Sequence, residues 1–91
     1  MKNTRGLMGI SSAQLRAARA LLRWSAQELA DASKVAVSTI RRVEVMEGEI
    51  PVTAANEAAL RKALEAAGVE FTEENGGGPG VRLRKSPKQK R

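Results

Sequence analysis

The stretch SAQELADASKVAVSTIRRVE, residues 25–44, holds two short segments of helical apolar spacing with only a few residues between them. Ser25 with Glu28 three residues on has the pattern of a capping box, so a helix starts there, with Leu29 and Ala30 as its inward residues. It is short and ends near Ser33. The run AVSTIRRVEVME reads as a second helix, with Ile40 and Val43 inward and Gly48 as its stop. Helices this short are marginal alone in water, so each must bury its stripe against the other and against further helices. Once Val35, Ile40 and Val43 point inward, Val37, Ser38, Arg41 and Arg42 are left to face outward.

The covering helices are legible on both sides. In ISSAQLRAARALLRW, Ser11 and Gln14 form another capping-box pattern, and Ile10 with Leu15 matches a hydrophobic staple. Leu15, Ala18 and Leu22 then make one apolar stripe, which predicts a helix over 12–22, with Arg16, Arg19 and Arg23 along another side. Downstream, TAANEAALRKALEAAG places Leu60, Ala63, Leu64 and Ala67 on one face before Gly68. The period then changes. VEFT alternates with Val69 and Phe71 on one face, and VRLR with Val81 and Leu83, so two short strands are expected on either side of the turn-rich EENGGGPG. The strands could pair as a hairpin or with another copy of the chain. The divisions that follow are a flexible arm (1–10), a helical unit (11–68), a β appendage (69–84) and a disordered basic tail (85–91). The helical unit is expected to fold without the strands.

Composition limits the chemistry available to 91 residues. Trp24 and Phe71 are the only aromatic residues, so the core must be aliphatic. Without cysteine or histidine there is no disulfide, no zinc site of the usual kind and no imidazole base. An enzyme is not expected, nor is a cofactor or a metal. The run NGGGPG lacks the Gly-Lys-Ser/Thr ending of a phosphate loop. Neither an apolar run of about 18 residues nor a signal-peptide pattern is present, so no membrane association and a cytoplasmic location are expected. The net charge of +6 resides in residues 82–91, where Arg82, Arg84, Lys85, Lys88, Lys90 and Arg91 meet no acid. Such a tail favours a polyanionic partner.

Residues 11–68 resemble the XRE (Cro/C1-type, lambda-repressor-like) family of helix-turn-helix transcriptional regulators. Ser25, Glu28, Leu29, Ala30, Val35, Ser38, Thr39, Ile40, Val43 and Glu44 carry the resemblance, read against the pattern S-Q-x-E-L-A-x-x-x-G-V-S-x-x-T-I-x-x-x-E. The chain departs from that family at Ala26, Lys34, Ala36 and Met46, where Gln, Gly, Ser and Gly are usual. Met46 would let the third helix run on toward Gly48. The resemblance implies a mainly α fold: a lambda-repressor-like four-helix helix-turn-helix domain with a short C-terminal two-stranded β appendage. It also implies sequence-specific binding of double-stranded DNA by a regulator, expected to be a repressor.

Val37 and Ser38 then occupy positions where the family reads base edges. Arg42 lies one turn beyond Ser38, and arginine is the commonest reader of guanine. Thr39 and Arg41 suit backbone phosphates, as do Lys34 and Arg23, beside the helix N-terminus at Ser25 to Gln27, whose free N–H groups attract anions. Arg19 and Glu44 match positions that form a structural ion pair in this family, and Trp24 reads as a core residue. One recognition helix reads few base pairs, so a homodimer on an inverted repeat is expected, with Val69, Phe71, Val81 and Leu83 as its interface. The alternative on the same fold is a regulator that binds another regulatory protein or a toxin.

Overall fold

A capping box opens the first helix, α1 (Ser12–Leu22). Ser11 Oγ accepts from the Gln14 N–H at 3.0 Å, and Gln14 Oε1 accepts from the Ser11 N–H at 2.9 Å. A second box opens α2 (Ala26–Ser33): Ser25 Oγ accepts from the Glu28 N–H, and Glu28 Oε1 from the Ser25 N–H. Three residues later comes α3 (Val37–Glu44), and after a loop α4 (Ala54–Ala66), capped by Thr53 Oγ1 accepting from the Asn56 N–H. The computed structural model describes residues 9–72 and 79–84. Among these residues the chain is mainly helical, with the four helices followed by a small antiparallel sheet of β1 (Val69–Thr72) and β2 (Gly80–Leu83).

The sheet is a hairpin within one chain. Val69 pairs with Leu83, Glu70 with Arg82, Phe71 with Val81 and Thr72 with Gly80. Residues 73–78 of the turn-rich segment, the basic tail 85–91 and residues 1–8 of the expected arm lie outside the described residues. Gly80, read as the end of the linker, is instead the first residue of β2.

One core joins all the elements. α1 gives it Leu15 and Ala18, α2 Leu29 and Ala30, α3 Ile40 and Val43, α4 Leu60 and Leu64, and β1 Val69; Ile10, Val35 and Ile50 fill the corners. Each fully buried aliphatic side chain contributes about 1.5–3 kcal/mol relative to leaving it exposed.

Two boundary expectations change. Ile10, assigned to the arm, is fully buried, and its carbonyl accepts from the Ile50 N–H at 3.0 Å. The staple with Leu15 and this bridge fix the chain one residue before the cap. Helix α3 ends at Glu44, four residues short of Gly48. Its last carbonyls are taken by α1: Ser12 Oγ donates to the Val43 oxygen at 2.7 Å and Arg16 Nη1 to the Glu44 oxygen at 2.5 Å. The chain can leave the helix there without stranding buried acceptors.

The independence expected of residues 11–68 also changes. Val69 is fully buried in the helical core, and Phe71 and Val81 pack against it. Gln14 Nε2 donates to the Gly80 oxygen at 3.1 Å, and Arg84 Nη2 to the Glu65 oxygen of α4 at 2.9 Å. Both ends of the hairpin are thereby tied to the helices.

Candidate nucleic-acid interface

The geometry of α2 and α3 is set by small and branched residues at their crossing. Ala30 is buried, which lets the two helices approach closely, and Val35 fills the angle between them. Between these two, Lys34 closes α2 with φ 67° and ψ 20°, a left-handed conformation, and its N–H donates to the Ala30 oxygen at 2.7 Å. Glycine usually occupies such a position because a Cβ clashes there. Lysine takes that conformation here. Ser33 Oγ then accepts from the Val35 N–H at 3.2 Å, turning the chain toward α3. Ala36 supplies no side-chain cap, so the first N–H groups of α3 are not satisfied by a capping side chain.

Arg19 locks α3 in place. Its Nε and Nη2 each reach a Glu44 carboxylate oxygen at 2.8 Å, and its Nη1 donates to the Trp24 oxygen at 2.7 Å. One guanidinium therefore joins α1, the connection into α2, and the end of α3. Glu44 is buried while Arg19 keeps a quarter of its side-chain exposure. The hydrogen bonds to Glu44 raise the arginine pKa above its ordinary value, against burial, which lowers it. Trp24, read from the sequence as a core residue, is only half-buried and packs against the core from outside.

With Ile40, Val43 and Glu44 inward, the remaining face of α3 is open. Ser38, Arg41 and Arg42 are exposed, whereas Val37 is half-buried, its side chain packed partly on the core. Thr39 is half-buried in the first turn of α3. Gln27, Lys34 and Val37 border one shallow concavity of about 420 Å³ at the head of α3, together with Ala30, Asp31, Val35 and Ala36. Gln27 Nε2 donates to Asp31 Oδ1 at 3.0 Å, which leaves its second amide hydrogen and its carbonyl for an external partner. Ser25 accepts in its capping box but retains its own hydroxyl proton to donate. Arg23 is exposed and closes α1 at φ 60° and ψ 37°.

The residues assigned to a dimer interface divide. Val69 is fully buried in its own chain, Phe71 and Val81 are half-buried, and Leu83 is 49% exposed. Phe71 also lies under the Arg61 guanidinium, 4.8 Å from its ring centroid. The side chain most available to a second chain is therefore Leu83.

Three features escaped the sequence reading. Ser12 and Arg16 hold the end of α3, but a contact between residues about thirty positions apart leaves no local signal. Asp31 puts a carboxylate into the concavity beside Lys34. Val45, immediately after α3, is 82% exposed. Its spacing of seven from Ser38 and four from Arg41 was the available signal. Among the described residues no three acidic side chains come together to hold a metal ion, and no helix is long and apolar enough to cross a membrane. The chain matches no known family model and no curated protein.

Proposed function

We propose that this chain is a sequence-specific DNA-binding regulator whose α2 and α3 form a lambda-repressor-like helix-turn-helix, with α3 as the recognition helix. One observation carries the reading. Helix α3 spends Ile40, Val43 and Glu44 on packing and presents Ser38, Arg41 and Arg42 to solvent, with an uncapped N-terminus. That is the arrangement in which a helix enters the major groove with its first residues toward base edges. A second observation supports it. Among the described residues, the two non-glycine residues with positive φ are Arg23, which closes α1, and Lys34, which closes α2, both basic. Backbone strain kept at two cations is accounted for if both face phosphates.

In this reading Val37, Ser38 and Arg42 meet bases, and Arg23, Ser25, Gln27, Lys34, Thr39 and Arg41 meet the backbone. Two copies bind an inverted repeat with half-sites about 34–36 Å apart, and occupancy of the site represses transcription.

The test compares Arg42→Ala with Arg23→Ala on duplexes selected from a randomised pool. Arg42→Ala should relax discrimination at one base pair per half-site, by about 1–3 kcal/mol. Arg23→Ala should weaken binding to all sequences alike. Wild-type protein that prefers no duplex over random DNA overturns the reading, and the same uniform loss in both variants overturns the role of Arg42.

A further inference from the structure

We propose that Val45 determines specificity at one further base pair by packing against the 5-methyl group of a thymine. The inference rests on the DNA-binding reading of α3 and extends its readout beyond the first turn. Val45 is the most exposed large apolar side chain among the described residues, at 82%. It caps α3 with φ −94°, so its Cβ stays close to the helical phase. At about 100° per residue, Val45 falls about 20° from Ser38, between Arg41 and Arg42. It thus stands in the middle of the outward face, not at its margin.

A single exposed valine is ordinary on a protein surface. This one is flanked one turn earlier by two exposed arginines and is absent from the core that α3 builds with Ile40 and Val43. Cationic side chains around an apolar centre match a major groove, where phosphates line both walls and the thymine methyl is the apolar group on the floor. The rise from Ser38 to Val45 is about 10 Å, roughly three base-pair steps of 3.4 Å each. Val45 would therefore meet a different base pair from the one that Ser38 meets. Arg41 and Arg42 can reach phosphates or guanine on either side of it.

The test uses the tightest duplex selected from a randomised pool, with each thymine of a half-site replaced in turn by deoxyuridine, which removes only the methyl. Binding is measured for wild type and Val45→Ala, with thermal melts to show that the variant remains folded. At one thymine per half-site, methyl removal should weaken wild-type binding about fourfold. Val45→Ala should bind the thymine duplex about fourfold more weakly and be indifferent to the methyl there. Selective wild-type binding with no sensitive thymine overturns the role of Val45 alone, as does a deoxyuridine effect that persists in Val45→Ala. Unselective wild-type binding overturns the DNA reading as well.

Discussion

Arg23 and Lys34 each sit in a left-handed backbone conformation that costs a residue with a Cβ about 1–2 kcal/mol. Lys34→Gly removes that cost and restores some chain entropy to the unfolded state, so a net gain of about 0.5–1 kcal/mol is expected in urea melts. On the proposed reading the same variant should bind DNA more weakly, because Lys34 would no longer meet a phosphate. A Lys34→Gly protein that is less stable would mean that the lysine side chain holds the turn itself. The departure from glycine was visible in the sequence, but its meaning was not, since the backbone angle emerges only once α2 and α3 are packed. The ion pair of Arg19 and Glu44 was legible only through the resemblance. Glu44→Ala should cost about 2–3 kcal/mol, less than a fully enclosed pair because Arg19 remains partly wet. Coupling with Arg19→Ala in a double-mutant cycle checks it, and additive losses would contradict the contact.

Elements whose signals are local were legible, and those fixed by distant partners were not. Both capping boxes lie within four residues of sequence, and α1 begins and ends where its pattern predicts. The end of α3 could not be read the same way. Ser12 and Arg16 terminate it from another helix, so Gly48 carries a positive φ in the following loop instead of stopping the helix. The hairpin shows the same limit. Alternation gave its two strands and their apolar faces, but not that Val69 is swallowed whole by the helical core. Truncation after Gly68 is therefore expected to unfold most of the protein, not to release a stable helical unit. Val69→Ala should lower stability by about 2 kcal/mol, a large share of the margin in so small a domain. Circular-dichroism melts check both, and a truncated chain with an unchanged melting temperature would show that the hairpin is dispensable.

At the scale of the whole molecule, β1 and β2 pack on α1 and α4, whereas α3 packs on α1 and α2. On the proposed reading, a second copy joined through the hairpin would leave the exposed side chains of α3, Ser38, Arg41 and Arg42, to the DNA. The first 81 residues balance ten basic against ten acidic groups, so attraction to a polyanion depends on where charge is placed and on the C-terminal cluster. In the proposed dimer Leu83, half exposed at the end of β2, is the apolar group that the hairpin offers for pairing, and Arg82 beside it is held to Glu70 at 2.8 Å. Leu83→Asp should change the melt of the isolated chain less than a core substitution, because about half of the residue is already exposed. It should convert a sedimenting dimer to a monomer and weaken binding to a full inverted repeat far more than to a single half-site. Removing residues 85–91 should leave the dimer intact and lower the slope of log K against log salt, by about 0.9 for each phosphate that the tail no longer neutralises. A Leu83→Asp protein that still sediments as a dimer would move the interface to the helices, where Leu21 of α1 is an exposed apolar side chain.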